Sequence, residues 1–246
     1  MDCRTADLQL SPTLPEFSVE SQQLVGYLKK MSVSDLMLLM SISEKLAIQN
    51  RERFGRFGTA EAAQLKSGTA IHTFQGEVYN GLDAFSMSSD DLQYAQQHLR
   101  ILSGLYGSLR PLDVMQEYRL EIATRLKTKK HSNLYQYWSP LVTHSINRDI
   151  HGSGSDYLVN LASDEYFKCL NIKSIKAKII GTSFFEMKNG KRTFVSFSVK
   201  KARGLMAAFI IKNRITHPSG MQHFISDGYQ WDAETSTEFN FVFVKS

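Results

Sequence analysis

The sequence predicts a mixed α/β fold, a single domain in which helices flank a mixed, partly antiparallel sheet. Helical periodicity fills most of the first 150 residues, whereas strand-like apolar runs dominate after the loop "HGSGSD" at 151–156. No internal repeat, low-complexity tract or linker divides the 246 residues, which favours one domain. We expect residues 1–20 to be a loose segment and residues 21–246 to form that domain.

The elements follow from local patterns. Helical segments are predicted at about 20–30, 34–50, 90–102 and 133–150, the last interrupted by Pro140. Strands are predicted in "DYLVNLAS", "AKIIGTSFFEM", "RTFVSFSV" and "FNFVFVK". Asn189-Gly190 predicts a type I′ hairpin between the second and third strands. The segment "KKARGLMAAFIIKNR" at 200–214 predicts a basic helix, in which Gly204 indicates close approach of another backbone.

The stretch "LRILSGLYGSLRPLD" at 99–113 raises the first functional question. Apolar residues at helical spacing predict a helix that runs into Gly104. Gly104 and Gly107 then allow a tight hairpin, and Pro111 fits the opening turn of a second helix. The pattern therefore predicts a helix-hairpin-helix unit.

Two interpretations of this unit are open. In the first, backbone N–H groups from Ser103 to Gly107 contact a nucleic-acid phosphate, which Arg100 and Arg110 flank. In the second, the glycines only end one helix and let another pack against it. The spacing alone does not decide between them.

Positive charge is concentrated in one part of the chain. Residues 166–226 contain twelve Lys and Arg residues and one acid, Glu186. This segment therefore has a net charge of +11, whereas the net charge of the whole chain is +5. The rest of the chain therefore sums to −6. Such segregation is typical of a face that meets polyanions, although a solvated face with counter-ions would have the same composition.

A cluster of polar residues follows the first predicted strand, in "NLASDEYFK" at 160–168. Polar groups at a strand end are common in active sites, so one hypothesis is an enzyme that acts on nucleic acid or on a nucleobase-like small molecule. Its candidate catalytic residues are Asn160, Ser163, Glu165 and Tyr166, with Lys200 as an electrophile. The alternative is a structural turn in which Ser163 caps a short helix.

Several classes of protein receive no support. The seven histidines form no HxH or HExxH pair and the two cysteines lie far apart, so we expect no metal site, no disulfide framework and no cofactor. A direct iron chaperone is the weakest of three hypotheses for this reason. Nucleotide-binding and hydrolase motifs are absent. Without a signal pattern or an apolar membrane run, we expect a cytoplasmic, monomeric protein that contacts no membrane.

Four ordered motifs carry a resemblance to a known family. They are "FQGEVYNGL" at 74–82, "QQHLRILSGLYGSLRPLD" at 96–113, "NLASDEYFK" at 160–168 and "KKARGLM" with "FIIKNR" at 200–214. In these motifs the chain resembles the YaaA family of cytoplasmic peroxide-stress proteins, from about residue 21 onwards. The resemblance implies the fold of that family, with a helix-hairpin-helix beside a positively charged, DNA-binding cleft.

The resemblance also implies a function and a set of binding residues. Members are associated with resistance to hydrogen peroxide and with limiting unincorporated intracellular iron, which reduces oxidative damage. Carried over to this chain, the DNA-binding residues would be Arg100, Ser103, Gly104, Gly107, Arg110, Lys200, Lys201, Arg203 and Arg214. The resemblance favours non-catalytic, sequence-independent DNA binding over the enzyme hypothesis.

The start of the chain departs from the family pattern. Members begin with a short apolar strand and a Ser-Pro-Ala-Lys-like motif, whereas this chain begins "MDCRTADLQLSPTLPEF" and has no Lys before residue 29. We therefore expect an unpaired edge in the sheet, with lower solubility as a consequence.

Overall fold

A computed structural model of the chain describes residues 1, 10–58 and 67–246. The chain forms two compact units. Unit 1 comprises Met1–Phe74, Leu99–Ser145 and Asp164–Lys173, and unit 2 comprises Gln75–His98, Ile146–Ser163 and Ser174–Ser246. Their segments alternate along the sequence, so no linker separates the units. The predicted domain boundary at residue 20 stays a prediction.

Helices occupy much of the described chain. The α-helices are α1 Ser18–Leu28, α2 Val33–Met40, α3 Glu44–Arg56, α4 Ala70–Thr73, α5 Glu77–Leu82, α6 Ser89–His98, α7 Leu134–Ser153, α8 Asp164–Phe167 and α9 Ser196–Lys212. The helix predicted at 34–50 is in fact two, because Ser41 adopts a left-handed φ of 51° and ends α2. Pro140 lies inside α7 without ending it. Within these described ranges, no helix is both long enough and apolar enough to cross a membrane.

The strands confirm the mixed α/β class. They are β1 Ser67–Thr69, β2 Ile101–Ser103, β3 Gly107–Leu109, β4 Val114–Gln116, β5 Tyr157–Asn160, β6 Lys178–Lys188, β7 Lys191–Thr193, β8 Tyr229–Trp231 and β9 Asn240–Lys245. In unit 1, β1 pairs antiparallel with β4, and β2 pairs antiparallel with β3.

Unit 2 contains a mixed sheet in the order β5-β6-β9-β8, with β7 paired to β6. β5 and β9 run parallel to β6, whereas β7 and β8 are antiparallel to their neighbours. The predicted turn between β6 and β7 is confirmed, since Asn189 and Gly190 both have positive φ, 51° and 71°. In the described part of the chain β5 pairs with β6 alone, which makes it an edge strand.

One face of this sheet packs against α9. Phe184, Phe243 and Tyr229 from the strands and Ala202 and Met206 from the helix form a buried core. Burying such aromatic and aliphatic side chains is the main stabilising contribution in a small unit, about 2 kcal/mol for each large residue. The packing of its apolar face against the sheet therefore fixes the orientation of α9. Lys200 and Lys212, on the sides of the helix, are exposed to solvent.

Gly204 explains how α9 meets α5. A Cβ at Gly204 would lie 1.8 Å from the carbonyl oxygen of Val78, and one at Gly81 would lie 2.2 Å from that of Lys201. The two helices thus cross with their backbones in contact at a glycine of each. This confirms the close backbone approach predicted for Gly204.

The predicted helix-hairpin-helix corresponds to a different structure. Helix α6 ends at His98, and residues 101–109 form a β-hairpin in which Ile101 pairs with Leu109. A turn and strand β4 follow Pro111 in place of a second helix. The prediction failed because Leu99 and Leu102 continue the helical spacing of α6, while residues 101–103 pair as a strand with 107–109.

The strand predicted in "RTFVSFSV" is also shorter than expected. β7 ends at Thr193, and α9 begins at Ser196, four residues before the predicted basic helix. Val195 takes the extended conformation at the helix N-cap. At the other end the helix stops at Lys212, so Arg214, with a positive φ of 52°, lies beyond it.

Candidate nucleic-acid interface

The hairpin Ile101–Leu109 lies largely inside unit 1. Ser103 is 1% exposed, and its Oγ accepts a hydrogen bond from the N–H of Tyr106 and pairs with the hydroxyl of Tyr118 at 2.7 Å. Gly104 and Gly107 are buried as well. A phosphate contact needs N–H groups that solvent can reach, so the burial of these residues argues against such a contact here.

The two glycines of the hairpin serve close packing. A Cβ at Gly104 would lie 2.0 Å from the carbonyl oxygen of Leu120, and the carbonyl of Gly104 accepts the indole N–H of Trp138 at 2.9 Å. Gly107 has a φ of +68° and lies against the Trp138 ring. Both positions therefore require glycine for reasons of packing and backbone conformation.

Arg110 neutralises a buried carboxylate. Its Nη2 lies 2.9 Å from Oδ1 of Asp113, a side chain that is 1% exposed, and also donates to the carbonyl of Leu14. The backbone N–H of Arg110 donates to the same carboxylate at 2.8 Å. The other predicted flanking cation, Arg100, is half-buried and donates to the carbonyl of Leu99. Both arginines therefore have partners within unit 1.

The cations of α9 in unit 2 differ in their surroundings. Lys200 is exposed and has no ion-pair partner among the described residues. Lys201 lies 3.4 Å from Asp227, which Lys245 also contacts at 3.3 Å. Partial burial acts to raise the pKa of Asp227, but hydrogen bonds from both lysines outweigh it and lower that pKa. Arg203 is half-buried.

Arg214 is held by unit 2 itself. Its Nη1 lies 2.8 Å from Oδ1 of Asp91, and its guanidinium stands 4.8 Å above the ring of Tyr94. Partial burial acts to raise the pKa of Asp91, but hydrogen bonds from Ser88 and Arg214 hold that pKa below its ordinary value. A cation that already has a carboxylate and an aromatic ring as partners has less to gain from a phosphate.

The hairpin between β6 and β7 and the start of α9 present a surface that the sequence analysis did not single out. Its members are exposed residues within one short stretch of unit 2: Lys188, Lys191, Phe194, Phe197 and Lys200. We call these five residues the Lys-Phe surface. Phe194 and Phe197 are 61% and 63% exposed. Phe197 and Lys200 are three residues apart on α9, so they share one helix face.

The sequence contained a signal for this surface. Three lysines and two phenylalanines are visible in residues 188–200, from the Asn-Gly turn to the start of the basic segment. The sequence predicts a continuous strand over "RTFVSFSV", with Phe194 on one of its faces. In the structure β7 ends at Thr193 and α9 begins at Ser196, so Phe194 lies between the two elements. Exposed aromatics beside lysines are typical of nucleic-acid-binding faces.

The candidate catalytic residues fall in both units. Asn160, at the end of β5 in unit 2, accepts the N–H of Ala162 through its side chain. Ser163 is half-buried in unit 2, and Lys200 is the exposed helix residue described above. Glu165 and Tyr166 lie on α8 in unit 1. The enzyme hypothesis stays a prediction.

Glu165 and Tyr166 are close to other titratable groups of unit 1. The Tyr135 hydroxyl donates to the carbonyl of Glu165 at 2.9 Å, and one carboxylate oxygen of Glu165 is buried without a partner among the described residues. Burial, assisted by Glu165 and Glu121, raises the pKa of Tyr166 to about 12. A tyrosine with so high a pKa stays protonated at neutral pH and acts as a hydrogen-bond donor.

The described residues offer few candidates for a metal site or for a redox-active thiol. No group of three or more His, Cys, Asp or Glu side chains is placed there to hold a metal ion. Cys169 is buried, and burial raises the pKa of its thiol to about 12, so little reactive thiolate is present at neutral pH. Cys3 lies outside the described residues.

Comparison with protein families agrees with the motifs of the chain. The sequence model of the peroxide stress protein YaaA family matches residues 1–235. This range includes the hairpin of unit 1, the motif at 160–168 and the whole of the Lys-Phe surface. The match covers nearly the entire chain, so the resemblance seen in four motifs extends over both units. The chain belongs to the family of the peroxide stress protein YaaA.

Proposed function

We propose that this protein acts in peroxide stress by binding the phosphate backbone of DNA through the Lys-Phe surface of unit 2. The observation that carries the proposal is the exposure of Lys188, Lys191 and Lys200 together with two exposed phenylalanines. Lysine ammonium groups neutralise phosphates without reading sequence. The proposed binding is therefore independent of base sequence and strongly dependent on salt.

The phenylalanines support a nucleic acid as the polyanion. An exposed Phe costs free energy in water, because its apolar ring remains hydrated. Phe194 and Phe197 are each more than half exposed beside lysines. Aromatic rings next to a basic groove stack on bases wherever these are unpaired. Duplex DNA with unpaired or distorted regions is thus the form that the surface fits best.

We expect the other predicted cations to contribute less to DNA binding. Lys201 and Arg214 contact Asp227 and Asp91, so binding a phosphate would require them to give up or share those contacts. Lys188 would likewise share its contact with Glu186, at 3.3 Å, whereas Lys191 and Lys200 have no ion-pair partner among the described residues. Arg100 and Arg110 have partners in unit 1. We expect the exposed lysines to supply most of the salt dependence.

A salt titration of DNA binding tests the proposal. The triple variant Lys188→Gln, Lys191→Gln, Lys200→Gln removes three positive charges and leaves polar, unbranched side chains in their place. The plot of log affinity against log salt should flatten by about three units, because each phosphate contact contributes about 0.9. Affinity at low salt should fall for all sequences alike.

The matched control carries the same change at exposed lysines of unit 1: Lys45→Gln, Lys129→Gln, Lys130→Gln. Both variants lose the same net charge, so a general charge effect would weaken both equally. The proposal requires the slope of the control to stay near that of the wild type. Equal losses in the two variants would show that no defined surface binds DNA.

Limiting unincorporated iron is the second part of the proposed function. The support is the resemblance to the YaaA family, which implies this effect; family membership itself gives only a peroxide stress protein. Electron paramagnetic resonance of chelated iron in peroxide-treated cells measures it. Cells that carry the wild-type protein should contain less unincorporated iron than cells without it. If the Lys-Phe triple variant lowers iron as well as the wild type does, the iron effect is independent of DNA binding.

A further inference from the structure

Unit 2 contains a cavity of about 400 Å³ on the packed face of its sheet. Its wall combines strand residues with the 3-10 helix Pro218–His223 and the loop 232–239. None of the residues that line it belongs to the Lys-Phe surface. We propose that this cavity binds a small, uncharged, planar aromatic molecule that carries a hydrogen-bond donor and an acceptor on neighbouring atoms, as lactams and carboxamides do.

Aromatic side chains form the sheet side of the cavity. Tyr157, Trp231 and Phe241 come from β5, β8 and β9, and the strand register places all three on one face of the sheet. Phe239, 48% exposed, lies in the loop that also lines the cavity. Aromatic walls favour planar rings, which stack on them or meet them edge to face. The volume lies within the range of small-molecule sites.

Gln222 supplies the polar recognition. Its half-buried side chain lines the cavity and has no hydrogen-bond partner in the part of the chain that the structure describes. A primary amide offers both an acceptor oxygen and a donor nitrogen. A lactam or carboxamide presents the complementary pair, so two hydrogen bonds can form side by side.

Two hydroxyl groups of the wall are already engaged. Ser236 Oγ donates to the carbonyl of Asp232 at 2.6 Å and accepts the N–H of Val242 at 2.9 Å. Thr237 Oγ1 accepts the N–H of Asn240. These bonds fix the loop 232–239, and a preformed wall lowers the entropic cost of binding.

The charge of the wall favours an uncharged ligand. The titratable groups beside the cavity are His217, Glu238 and Tyr157. The two ring nitrogens of His217 lie 3.2 Å from the Tyr157 hydroxyl and 2.8 Å from Ser219 Oγ, and Glu238 lies 3.8 Å from Lys178.

Fluorine NMR of the full chain labelled with 5-fluorotryptophan tests this proposal. The chain has two tryptophans, so Trp231 reports on the cavity and Trp138, buried in unit 1, is the internal reference. The probes are 2-pyridone, 4-quinazolone and benzamide at up to about 10 mM, a range suited to weak ligands. The control 2-piperidone lacks the aromatic ring, and N-methyl-2-pyridone lacks the donor.

We expect at least one aromatic probe to shift the Trp231 resonance saturably while the Trp138 resonance stays in place. The two control compounds should bind more weakly than 2-pyridone. Gln222→Leu should weaken binding about tenfold, because the donor and acceptor of the amide are lost. The same change at Gln230, which is exposed on β8, should leave binding unchanged.

Three results would overturn the proposal. They are the absence of a Trp231 shift with all three aromatic probes, an equal shift with 2-piperidone, and unaltered affinity in Gln222→Leu. The Trp231 resonance without added probe shows whether unit 2 of each variant is folded. The measurement does not involve DNA binding. It therefore tests the proposed cavity site independently of the Lys-Phe surface.

Discussion

The hairpin Ile101–Leu109 of unit 1 and the Lys-Phe surface of unit 2 both place cations beside a tight turn, but in different surroundings. In the first, the turn is buried and Arg110 pairs with the buried Asp113. In the second, the Asn189-Gly190 turn is exposed, and the lysines around it are exposed as well, although Lys188 lies 3.3 Å from the carboxylate of Glu186. Similar residue types therefore serve packing in one region and present exposed charge in the other.

This difference shows what separates a structural cation from a binding cation. A cation that neutralises a buried carboxylate cannot leave it without a large cost in free energy. An exposed lysine loses little when it turns toward a phosphate, because its alternative partner is water. Accessibility of the charge, more than its spacing in the sequence, identifies the residues that meet a polyanion.

Gly104→Ala should have the largest effect and should confirm that the hairpin is structural. The new Cβ would meet the carbonyl oxygen of Leu120 at 2.0 Å, and backbone cannot move away without disturbing unit 1. We expect the free energy of unfolding to fall by at least about 3 kcal/mol in urea denaturation.

The control for this substitution is Gly55→Ala on α3. A Cβ at Gly55 meets nothing within 4 Å, so the helix should gain about 0.5 kcal/mol from the better helix former. If Gly104→Ala were tolerated as well as Gly55→Ala, the hairpin would not be the tightly packed element described here.

Arg110→Ala should destabilise the protein and leave DNA binding intact. Asp113 would remain buried with hydrogen bonds from Thr13 and from a backbone N–H, but without its cation. We expect a loss of about 2 kcal/mol in the free energy of unfolding. The salt slope of DNA binding, measured below the unfolding temperature, should stay at the wild-type value. A flatter slope would show that Arg110 contacts a DNA phosphate and would contradict its assignment as a structural residue.

Phe197→Ala should reduce binding to DNA with unpaired bases. Loss of one stacking ring costs about 1 kcal/mol, or roughly a fivefold weaker affinity for single-stranded or bubble-containing DNA. Stability should hardly change, since the ring is 63% exposed. Phe85→Ala, at another exposed ring of unit 2, is the control in the same fluorescence titration. Equal effects at both positions would contradict a defined stacking site.

Asp91→Asn should have the smallest effect, and one that depends on pH. The pKa of Asp91 is lowered in the folded protein, so its carboxylate stabilises the fold at neutral pH and loses that contribution as the pH falls through the folded pKa. We expect a cost of about 0.5 kcal/mol at pH 7 that is smaller at pH 3, which lies below the ordinary pKa of an aspartate. Urea denaturation at the two pH values measures it, with the neighbouring Asp90→Asn as the control. A cost that is unchanged at low pH would mean that the ion pair with Arg214 contributes nothing.

The local features of the sheet could be predicted from the sequence. Strands β5, β6 and β9, the Asn189-Gly190 turn and the close approach at Gly204 all follow from patterns within a few residues. Each depends on short-range chemistry, such as positive φ at an Asn-Gly turn or continuous apolar runs. This is the part of a fold that sequence reasoning reaches most directly.

The hairpin and the binding surface could not be predicted in the same way. The conformation of residues 101–109 depends on Trp138 and Leu120, which are distant in the sequence. The carboxylate partner of Arg214 is Asp91, 123 positions earlier. Tertiary contacts thus decide which cations have a carboxylate partner. The spacing of Arg and Lys residues in the sequence does not reveal these contacts.

Lysine footprinting tests the central claim most directly. The protein is acetylated briefly with and without a duplex that contains an unpaired bubble, and mass spectrometry measures the modification of each lysine. The account predicts protection by DNA at Lys188, Lys191 and Lys200, and unchanged modification at Lys45, Lys129 and Lys130. Protection that is confined to unit 1, or that is equal at all six lysines, would contradict it.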